Sequence, residues 1–575
     1  MVTKAKLVDA TVSLMLALAA MSPATEGAEA TLVKDINPFG PSDPTNLRNA
    51  DGRLFFTADD GVSGPELWRS EGTDASTVKV RDIQPGPAGA YPRPVTGLAG
   101  GLLFSANDGV NGFELWKSDG TGTGTALVKD LNPGPAGSDP GELTETNGRI
   151  FFSAYTNSLG TELWKSDGTA EGTVLVKDVN PGSSSSNPTE LTEVSGTLYF
   201  RADDGLPGAN HRELWKSDGT QAGTVMVRDI NPGPGESYPA NLIRLREILL
   251  FAANDGVHGT EIWKSNGTEA GTVMVKDINP GPIGGGFSGP AVSNGTAFFV
   301  ADDGIHGAEL WKSDGTETGT VMVRDINPSG SSSISQLTDV NGTLFFAIFD
   351  DLWKSDGTAV GTVMVKDFDS SNYPLALDHL TNVNGTLFFV ANDGVHGAEV
   401  WLSNGTETGT VLAADINPGD KFSFSWPKNL TAVNGTLFLQ ADDGTHGTEL
   451  WSIGPSVPGA VPDGDGIPGT PLRMTGGSGT EIMLAWDPSS CAAGAADYAI
   501  YEGALGSFAS HAPRVCSTGG TTTWTLTPDP GGRYYLVVPI YGAKEGSYGR
   551  ASDGSERAQG TPACSPQSLS DSCYY

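Results

Sequence analysis

Aspartate and histidine recur together in short glycine-rich stretches, and these residue types could bind cations or transfer protons. One stretch is "ADDGIHG" at residues 301–307, and close variants of it recur along most of the chain. Carboxylate oxygens are the ligands that Ca²⁺ prefers, and an imidazole beside a carboxylate can act as a general acid–base pair. The candidate binding residues in these stretches are Asp59, Asp60, Asp108, Asp203, Asp204, Asp255, Asp302, Asp303, Asp393, Asp442, Asp443, His258, His306, His396 and His446.

The same stretches have a structural explanation, because "DDG" and "NDG" are sequences that tight turns favour. None of them contains a full EF-hand ligand series, and the four histidines fall in different stretches. We therefore predict no firm metal site and no cofactor, with calcium as the open alternative. A weak calcium candidate is Asp463 with Asp465 in "PDGDGIPG" (462–469). This segment resembles the start of a thrombospondin type 3 calcium segment, and a flexible linker is the competing interpretation.

A repeat carries these stretches, and each copy holds one tryptophan that follows an apolar residue. Nine copies span residues 31–454. The tryptophans are Trp68, Trp116, Trp164, Trp215, Trp263, Trp311, Trp353, Trp401 and Trp451. One large ring per copy predicts packing between neighbouring units, and stacking against a carbohydrate is the alternative.

Each copy contains four short β-like runs separated by turn sequences, as in "SISQLTDV", "TLFFAI", "LWKS" and "TVMVKDF" within residues 333–368. Four hairpin-linked strands in each repeat predict a β-propeller blade. The array begins at a fourth-strand sequence (31–38) and ends at a third-strand sequence (448–453). The prediction is therefore an all-β propeller of about nine blades, closed by the N-terminal strand. The Asp- and His-containing loops and the loops between blades should lie on one face.

The repeat resembles the ELWxxDGT repeat of secreted bacterial proteins. The matching segments are "ELWKSDGTxxGT" at 114–125, 162–173, 213–224 and 309–320, with variants at 261–272, 351–362 and 399–410. The resemblance implies an exported or surface protein and carries no catalytic residues to transfer.

Charge and the N-terminal segment agree with export. The 575-residue chain has 68 acidic and 34 basic residues, for a net charge of −34, which argues against a nucleic-acid partner. Residues 1–30 have a short basic region, an apolar run and an "AEA" site, as a signal peptide does. No other stretch is long and apolar enough to span a membrane. We predict a secreted or cell-surface protein, with an extracellular protein or a carbohydrate as its ligand.

The C-terminal part has a different pattern. A Pro/Gly linker (455–471) precedes alternating apolar runs (472–560) that predict a β-sandwich, and Trp486 with "RYYLVV" (533–538) resembles a fibronectin type III domain. Cys491, Cys516, Cys564 and Cys573 lie in this region and in the tail (561–575), and their even number predicts two disulfides. Zinc binding is the alternative.

No nucleophile–base set or paired carboxylates stand out from the repeat, so the sequence predicts a non-enzymatic protein for binding or adhesion. The alternatives are a secreted hydrolase that uses the mouth of the propeller channel, and a calcium-dependent structural or assembly protein. Repeat seven, "FFAIFDDLW" (345–353), lacks the Asp- and His-containing loop. This gap could be a ligand notch or a tolerated deletion.

Overall fold

The computed structural model describes residues 30–454, except 99, 207–210, 234, 369–376 and 420–421, and, within the C-terminal part, residue 517 and the strands given below. The chain divides into two compact units, one formed by Glu26–Pro455 and the other including Ser456–Tyr575. The predicted signal peptide and linker, all four cysteines, Asp463 and Asp465 lie outside the described residues.

The first unit consists of nine four-stranded sheets, the blades of a β-propeller. Blades 1 to 5 are β2 (Thr45–Ala50), β3 (Arg53–Asp59), β4 (Pro65–Ser70), β5 (Val78–Arg81); β6 (Arg93–Leu98), β7 (Gly101–Asn107), β8 (Phe113–Ser118), β9 (Ala126–Lys129); β10 (Gly141–Thr146), β11 (Arg149–Thr156), β12 (Gly160–Ser166), β13 (Val174–Lys177); β14 (Thr189–Val194), β15 (Thr197–Asp203), β16 (Arg212–Ser217), β17 (Val225–Arg228); and β18 (Ala240–Leu245), β19 (Ile248–Asn254), β20 (Thr260–Ser265), β21 (Val273–Lys276). Blades 6 to 9 are β22 (Ser288–Ser293), β23 (Thr296–Asp302), β24 (Ala308–Ser313), β25 (Val321–Arg324); β26 (Ile334–Val340), β27 (Thr343–Ile348), β28 (Asp351–Ser355), β29 (Val363–Lys366); β30 (Asp378–Val383), β31 (Thr386–Asn392), β32 (Ala398–Ser403), β33 (Thr410–Ala414); and β34 (Lys428–Val433), β35 (Thr436–Asp442), β36 (Thr448–Ile453) with β1 (Ala30–Lys34).

The ring closes through the N-terminal strand. Blades 1 to 8 pair their strands in chain order, whereas blade 9 has the order β1-β36-β35-β34. The first strand of every blade contacts the first strands of both neighbours, and β2 of blade 1 contacts β34 of blade 9. The first strands therefore surround the central axis. The predictions of an all-β propeller, of nine blades and of closure by the N-terminal strand are confirmed.

The core lies between blades. The second strand is buried along its length, as in β7, where Leu102, Leu103 and Phe104 are at most 2% exposed. A typical cluster joins Val80 of blade 1 to Phe104 and Trp116 of blade 2. Eight of the nine repeat tryptophans are 4–8% exposed, and Trp353 is partly buried. Burying a large side chain stabilises the fold by roughly 1.5–3 kcal/mol, so blade-to-blade contact accounts for these positions.

The basic residue of "ELWK" also joins neighbouring blades. The Nζ atoms of Lys117 and Lys216 donate to the carbonyl oxygens of Gly168 and Gly267, each in the next blade, at 2.9 and 2.7 Å. The repeats of blades 2 to 7 therefore supply a hydrogen bond as well as an apolar surface to the next blade.

The C-terminal part contains two sheets. A three-stranded sheet has the order β37 (Arg473–Gly476), β38 (Ile482–Ala485), β41 (Thr523–Leu526). A four-stranded sheet has the order β40 (His511–Val515), β39 (Asp497–Ala504), β42 (Arg533–Tyr541), β43 (Lys544–Glu545). The resemblance to fibronectin type III stays a prediction. Among the described residues, no helix is long and apolar enough to cross a membrane.

Closure through β1 predicts that a charge in this strand destabilises the whole ring. Val33 is 3% exposed and packs in the cluster that joins blades 9 and 1. Val33→Asp should lower the free energy of unfolding by about 3 kcal/mol or more, because it buries an unpaired carboxylate. The neighbouring exposed Thr31 provides the control variant Thr31→Asp. Thermal and urea unfolding would contradict the role of β1 if the two variants unfolded alike.

Candidate functional site

The loops between second and third strands and the loops between blades lie on the same face of the ring, here called the loop face. The two kinds of loop pack closely at Gly64, which has a φ of +66°. A Cβ atom there would lie 2.7 Å from the backbone nitrogen of Gly89 in the between-blade loop. Glycine is therefore required for this contact, which brings the Asp- and His-containing stretches beside the channel mouth.

A buried glutamate fixes each between-blade loop to its blade. Glu66, the glutamate of "ELW" in blade 1, is fully buried, and its carboxylate accepts hydrogen bonds from the N–H groups of Ile83, Gln84 and Ala90 at 3.0–3.1 Å. Its counterparts in other blades bind their loops in the same way. In blade 7 the position is Asp351.

Burial opposes ionisation of these carboxyl groups. It raises the pKa of Glu66, Glu162 and Glu399 to about 7, against the hydrogen bonds from the loop, which act in the opposite direction. In blade 7, burial together with Asp367 and Asp350 raises the pKa of Asp351 to about 6. Some of the buried carboxyl groups that hold the between-blade loops therefore titrate near neutral pH.

The candidate aspartates and histidines mostly stabilise their own loops. Asp303 Oδ1 accepts from the N–H groups of Ile305 and His306 at 2.9 Å, and its Oδ2 lies 2.8 Å from His306 Nδ1. The same Asp–His pair forms at 255/258, 393/396 and 443/446. The preceding acid also binds its own loop: Asp59, Asp203, Asp302 and Asp442 each accept from the N–H of the glycine two residues on. These pairs stay within separate blades.

Blades 1 and 2 show what the histidine does, because both lack it. In blade 1 the position is Ser63, and the Nζ of Lys79 lies 2.8 Å from Asp60 Oδ2. Burial opposes ionisation of Asp60, but Lys79 and the N–H groups of Ser63 and Val62 outweigh it and hold its pKa well below the usual range. In blade 2, Asn111 donates to Asp108 Oδ2 at 2.8 Å. The histidine is thus one of several donors that satisfy the loop aspartate.

A cavity of about 400 Å³ opens on the loop face between blades 1 and 2. Asp59, one of the predicted residues, lines it. The other lining residues used below are Asp43, Asn46, Thr57, Tyr91, Arg93 and Phe113. Tyr91 is 54% exposed, and the Arg93 guanidinium lies 4.6 Å from the ring centroid of Phe113 and 3.0 Å from Asp139 Oδ1.

Two of these residues depart from the repeat. Phe113 stands directly before the buried glutamate, where the other blades have proline, threonine, alanine, arginine or aspartate. Arg93 starts the first strand opposite Ser105. In blades 1, 3, 4 and 5 the counterparts of Arg93 are the uncharged Thr45, Gly141, Thr189 and Ala240, whereas blade 9 also has a basic residue, Lys428. The sequence analysis missed Arg93 and Phe113, although comparing the copies position by position would have shown them.

The equivalent space between blades 4 and 5 is filled. Arg201 occupies the position of Thr57, its Nη1 donates to the Pro239 carbonyl at 3.0 Å, and its guanidinium lies 4.2 Å from the Tyr238 ring centroid. Tyr238 corresponds to Tyr91. The shorter Thr57 donates to the Pro92 carbonyl and leaves the space beside Tyr91 open, although Tyr91 is only slightly more exposed than Tyr238, at 54% against 47%. The cavity thus results from one small residue facing one exposed ring.

A second departure lies in blade 4. Among the described residues, one group of acids and histidines has its ligand atoms within 4.8 Å of one another, namely His211, Glu213 and Asp229. The sequence prediction of no firm metal site did not consider His211. The longer loop of repeat four is the sequence feature that could have pointed to His211. In repeat seven only Phe349 and Asp350 separate β27 from β28, and Phe349 is 64% exposed.

Comparison with known proteins finds similar folds. No protein-family model and no curated protein matches the chain. Similar solved structures include a puromycin hydrolase (11% identity, TM-score 0.36, covering 72% of this chain and 60% of that one). Another is a Mycobacterium tuberculosis puromycin-hydrolyzing peptidase (12%, 0.35, 65% and 61%). A third comes from a study of two prolyl endopeptidases (10%, 0.38, 71% and 55%). The chain spans about three fifths of the length of the first two.

The prediction of a non-enzymatic protein for binding or adhesion is contradicted, because the three similar structures named above come from a hydrolase and from peptidases. That prediction and the prediction that the chain is not an enzyme are withdrawn. The likeness itself concerns the fold. The activity proposed below rests on this chain's own residues.

The buried acids predict that the protein is most stable at mildly acidic pH. Between their ordinary pKa of 4.5 and the raised value of about 7, Glu66, Glu162 and Glu399 stay protonated in the folded state but ionise in the unfolded chain. The folded state then binds more protons, so stability falls as pH rises through this window. The raised pKa of His258 and His306, caused by Asp255 and Asp303, acts in the same direction, since their pairs weaken above the raised value.

Melting temperatures at pH 5, 6, 7 and 8 should therefore decrease in that order. Glu162→Gln should flatten the profile, whereas Glu171→Gln, at an exposed residue, should leave it unchanged. A melting temperature that increased between pH 5 and pH 8 would contradict the predicted protonation of these glutamates.

Proposed function

We propose that this protein is a hydrolase of glycosidic bonds that binds its substrate in the cavity between blades 1 and 2. The observation that carries the proposal is that the cavity combines two carboxylates, Asp43 and Asp59, with an uncovered tyrosine ring. Concave sites with a few convergent polar groups are where small-molecule ligands bind. The location corresponds to a hydrolase that uses the channel mouth.

The lining favours a sugar ring as the bound group. The Tyr91 ring offers an apolar face, while Asn46 and Thr57 offer polar groups of the kind that bind hydroxyls. Arg93 is held by Asp139 and by the face of Phe113, which limits its motion. The acidic lining disfavours phosphorylated or strongly anionic substrates.

A pair of carboxylates is the usual requirement for cleaving a glycosidic bond: one protonates the leaving oxygen, and the other activates water or attacks the sugar. Asp59 is the better candidate for the second role, because the N–H of Gly61, at 2.8 Å, holds one of its oxygens in place. Asp43, the other carboxylate of the lining, is then left for the first role. Arg93 would orient the substrate.

We also infer that the chain is exported. The predicted signal peptide and the resemblance to secreted ELWxxDGT-repeat proteins support this inference. A polysaccharide or glycoprotein outside the cell is then the natural source of substrate. The Asp–His pairs have no part in the proposed chemistry, because their hydrogen bonds stabilise the loops in which they lie.

The proposal predicts release of p-nitrophenol from p-nitrophenyl glycosides, or of reducing ends from a polysaccharide panel. Asp59→Asn should lower kcat by about 10²–10⁴-fold, the range expected for loss of a general acid or base. Asp302→Asn is the matched control, because Asp302 binds its loop as Asp59 does but lies in blade 6. Turnover of esters or peptide anilides in place of glycosides would refute the substrate class, and no turnover of any substrate would refute the hydrolase.

Filling the cavity should inhibit binding without unfolding the ring. Thr57→Arg copies Arg201, whose guanidinium covers Tyr238 in blades 4 and 5. We expect the variant to keep the wild-type melting temperature and to raise KM by about tenfold or more, which corresponds to about 1.4 kcal/mol. Thr57→Ser is the control that keeps the hydroxyl and the space. An unchanged KM in Thr57→Arg would place the substrate elsewhere.

A further inference from the structure

The fourth blade contains a histidine whose surroundings differ from those of its counterparts. His211 lies at the end of the loop between β15 and β16, which runs from residue 204 to 211 and is three residues longer than the loop 255–259 of blade 5. Its side chain is 2% exposed, whereas that of His258 is 38% exposed. Burial of an imidazole requires that both ring nitrogens be accounted for.

One nitrogen is accounted for by a carboxylate. His211 Nδ1 lies 3.0 Å from Asp204 Oδ1. If Nδ1 donates its proton there, the lone pair of the neutral ring is on Nε2. Histidines that ligate metals commonly donate their other nitrogen to a carboxylate in this way, because the pair fixes the ring and its tautomer.

The other nitrogen points at two acids. Within the described residues, His211 Nε2 has no hydrogen-bond partner. Asp229 Oδ1 is 3.7 Å away, and a Glu213 oxygen completes a group of three ligand atoms within 4.8 Å of one another. Ligands of a tetrahedral zinc ion, about 2 Å from the metal, are roughly 3.3 Å apart, so a small contraction would bring these atoms into coordination.

Glu213 keeps one acceptor position for a further bond. Its Oε2 accepts the N–H of Ile230 and the hydroxyl of Ser237, and its Oε1 accepts the N–H of Ser237, at 2.5–3.0 Å. A carboxylate has four lone pairs, so one on Oε1 stays available, as one does on Glu66, which also accepts three hydrogen bonds. What distinguishes Glu213 is the unpartnered His211 Nε2 beside it.

The positive charges nearest in sequence are engaged elsewhere. Arg212 lies 3.5 Å from Glu236, and Arg228 donates to the Thr272 carbonyl in the next blade. Neither arginine therefore reaches the carboxylates beside His211, and a bound cation would supply a counter-charge there.

We propose that His211, Glu213 and Asp229 bind a divalent transition-metal ion, of which zinc fits best. An imidazole nitrogen with two carboxylates suits zinc better than calcium or magnesium, which prefer oxygen ligands alone. The Asp229 side chain is 41% exposed, so an ion could reach the group from solvent on this side. The site lies in blade 4 and is independent of the proposed glycoside cavity, whose lining residues belong to other parts of the ring.

Zinc binding by the full-length protein tests the proposal. After treatment with EDTA and dialysis, titration with ZnCl₂ should show a site of about one equivalent that is absent from His211→Ala and Asp229→Asn. His258→Ala, which removes the loop histidine of blade 5, is the matched control and should keep that site. The cysteines of the tail could also bind zinc, so the readout is the equivalent lost by a variant relative to the wild type.

Two further measurements separate binding from folding. Asp204→Asn, which removes no ligand, should weaken binding by about 10–100-fold. Co²⁺ in place of zinc should give visible absorption bands that disappear in Asp229→Asn while its far-UV circular dichroism stays unchanged. Equal zinc binding by wild type and His211→Ala would overturn the proposal. So would a CaCl₂ titration that saturates the site more tightly than ZnCl₂ does.

Discussion

The contact between the buried glutamate of each blade and the loop to the next blade is the interaction on which the loop face depends. In blade 1 the two oxygens of Glu66 accept three backbone N–H groups, which would otherwise be buried without partners. The loop therefore cannot move away from its blade without exposing or orphaning these groups. Because the next first strand begins where this loop ends, the same contact sets where each blade enters the ring.

This contact also explains why glutamate and tryptophan are neighbours in the repeat. Successive residues of a strand point to opposite sides, so Glu66 and Trp68 share one side while Leu67 points to the other. All three are buried, since each blade is covered on both sides by its neighbours. The carboxyl group is tolerated in such a place because the loop surrounds it with donors, and the raised pKa of Glu66 reflects the cost of burying its charged form.

The repeat was sufficient to predict the fold but not the sites. Blade number and closure follow from local signals, namely turns and one tryptophan per copy. The roles of Asp303 and His306 depend on hydrogen bonds within a loop, and spacing alone does not distinguish these from ligand contacts. The cavity depends on Thr57 being short opposite Tyr91, 34 positions further along the chain, and no motif records such a pairing. The sequence analysis missed the cavity because it sought unusual residues within the motif, whereas Tyr91 and Arg93 lie between motifs.

Backbone conformation at the channel mouth distinguishes features that many blades share from features of single blades. Asn46, Glu142, Glu190, Asn241, Gln336 and Asn429 have φ values of 55–61° at one position of their first strands. A conformation shared by so many blades belongs to the ring itself, and Asn241 uses it to donate to the Phe287 carbonyl of the next blade.

Three residues before that position lies a second site of positive φ, where Asp43, Asp139, Asn187 and Ser333 are residues that adopt the left-handed region readily. Tyr91, Tyr238 and Trp426 have φ values of 47–48° there, although an aromatic side chain gains nothing from that conformation and costs on the order of 1 kcal/mol. The fold does not require a large ring at this site, since aspartate suffices in blades 1 and 3. Arg201 covers Tyr238, and Phe424 lies 4.9 Å from Trp426. All three side chains are still about half exposed, at 47–54%, so a strained backbone that presents an accessible ring is common to three blades. Tyr91 differs from the other two in lining the cavity between blades 1 and 2, where its ring is available to a ligand.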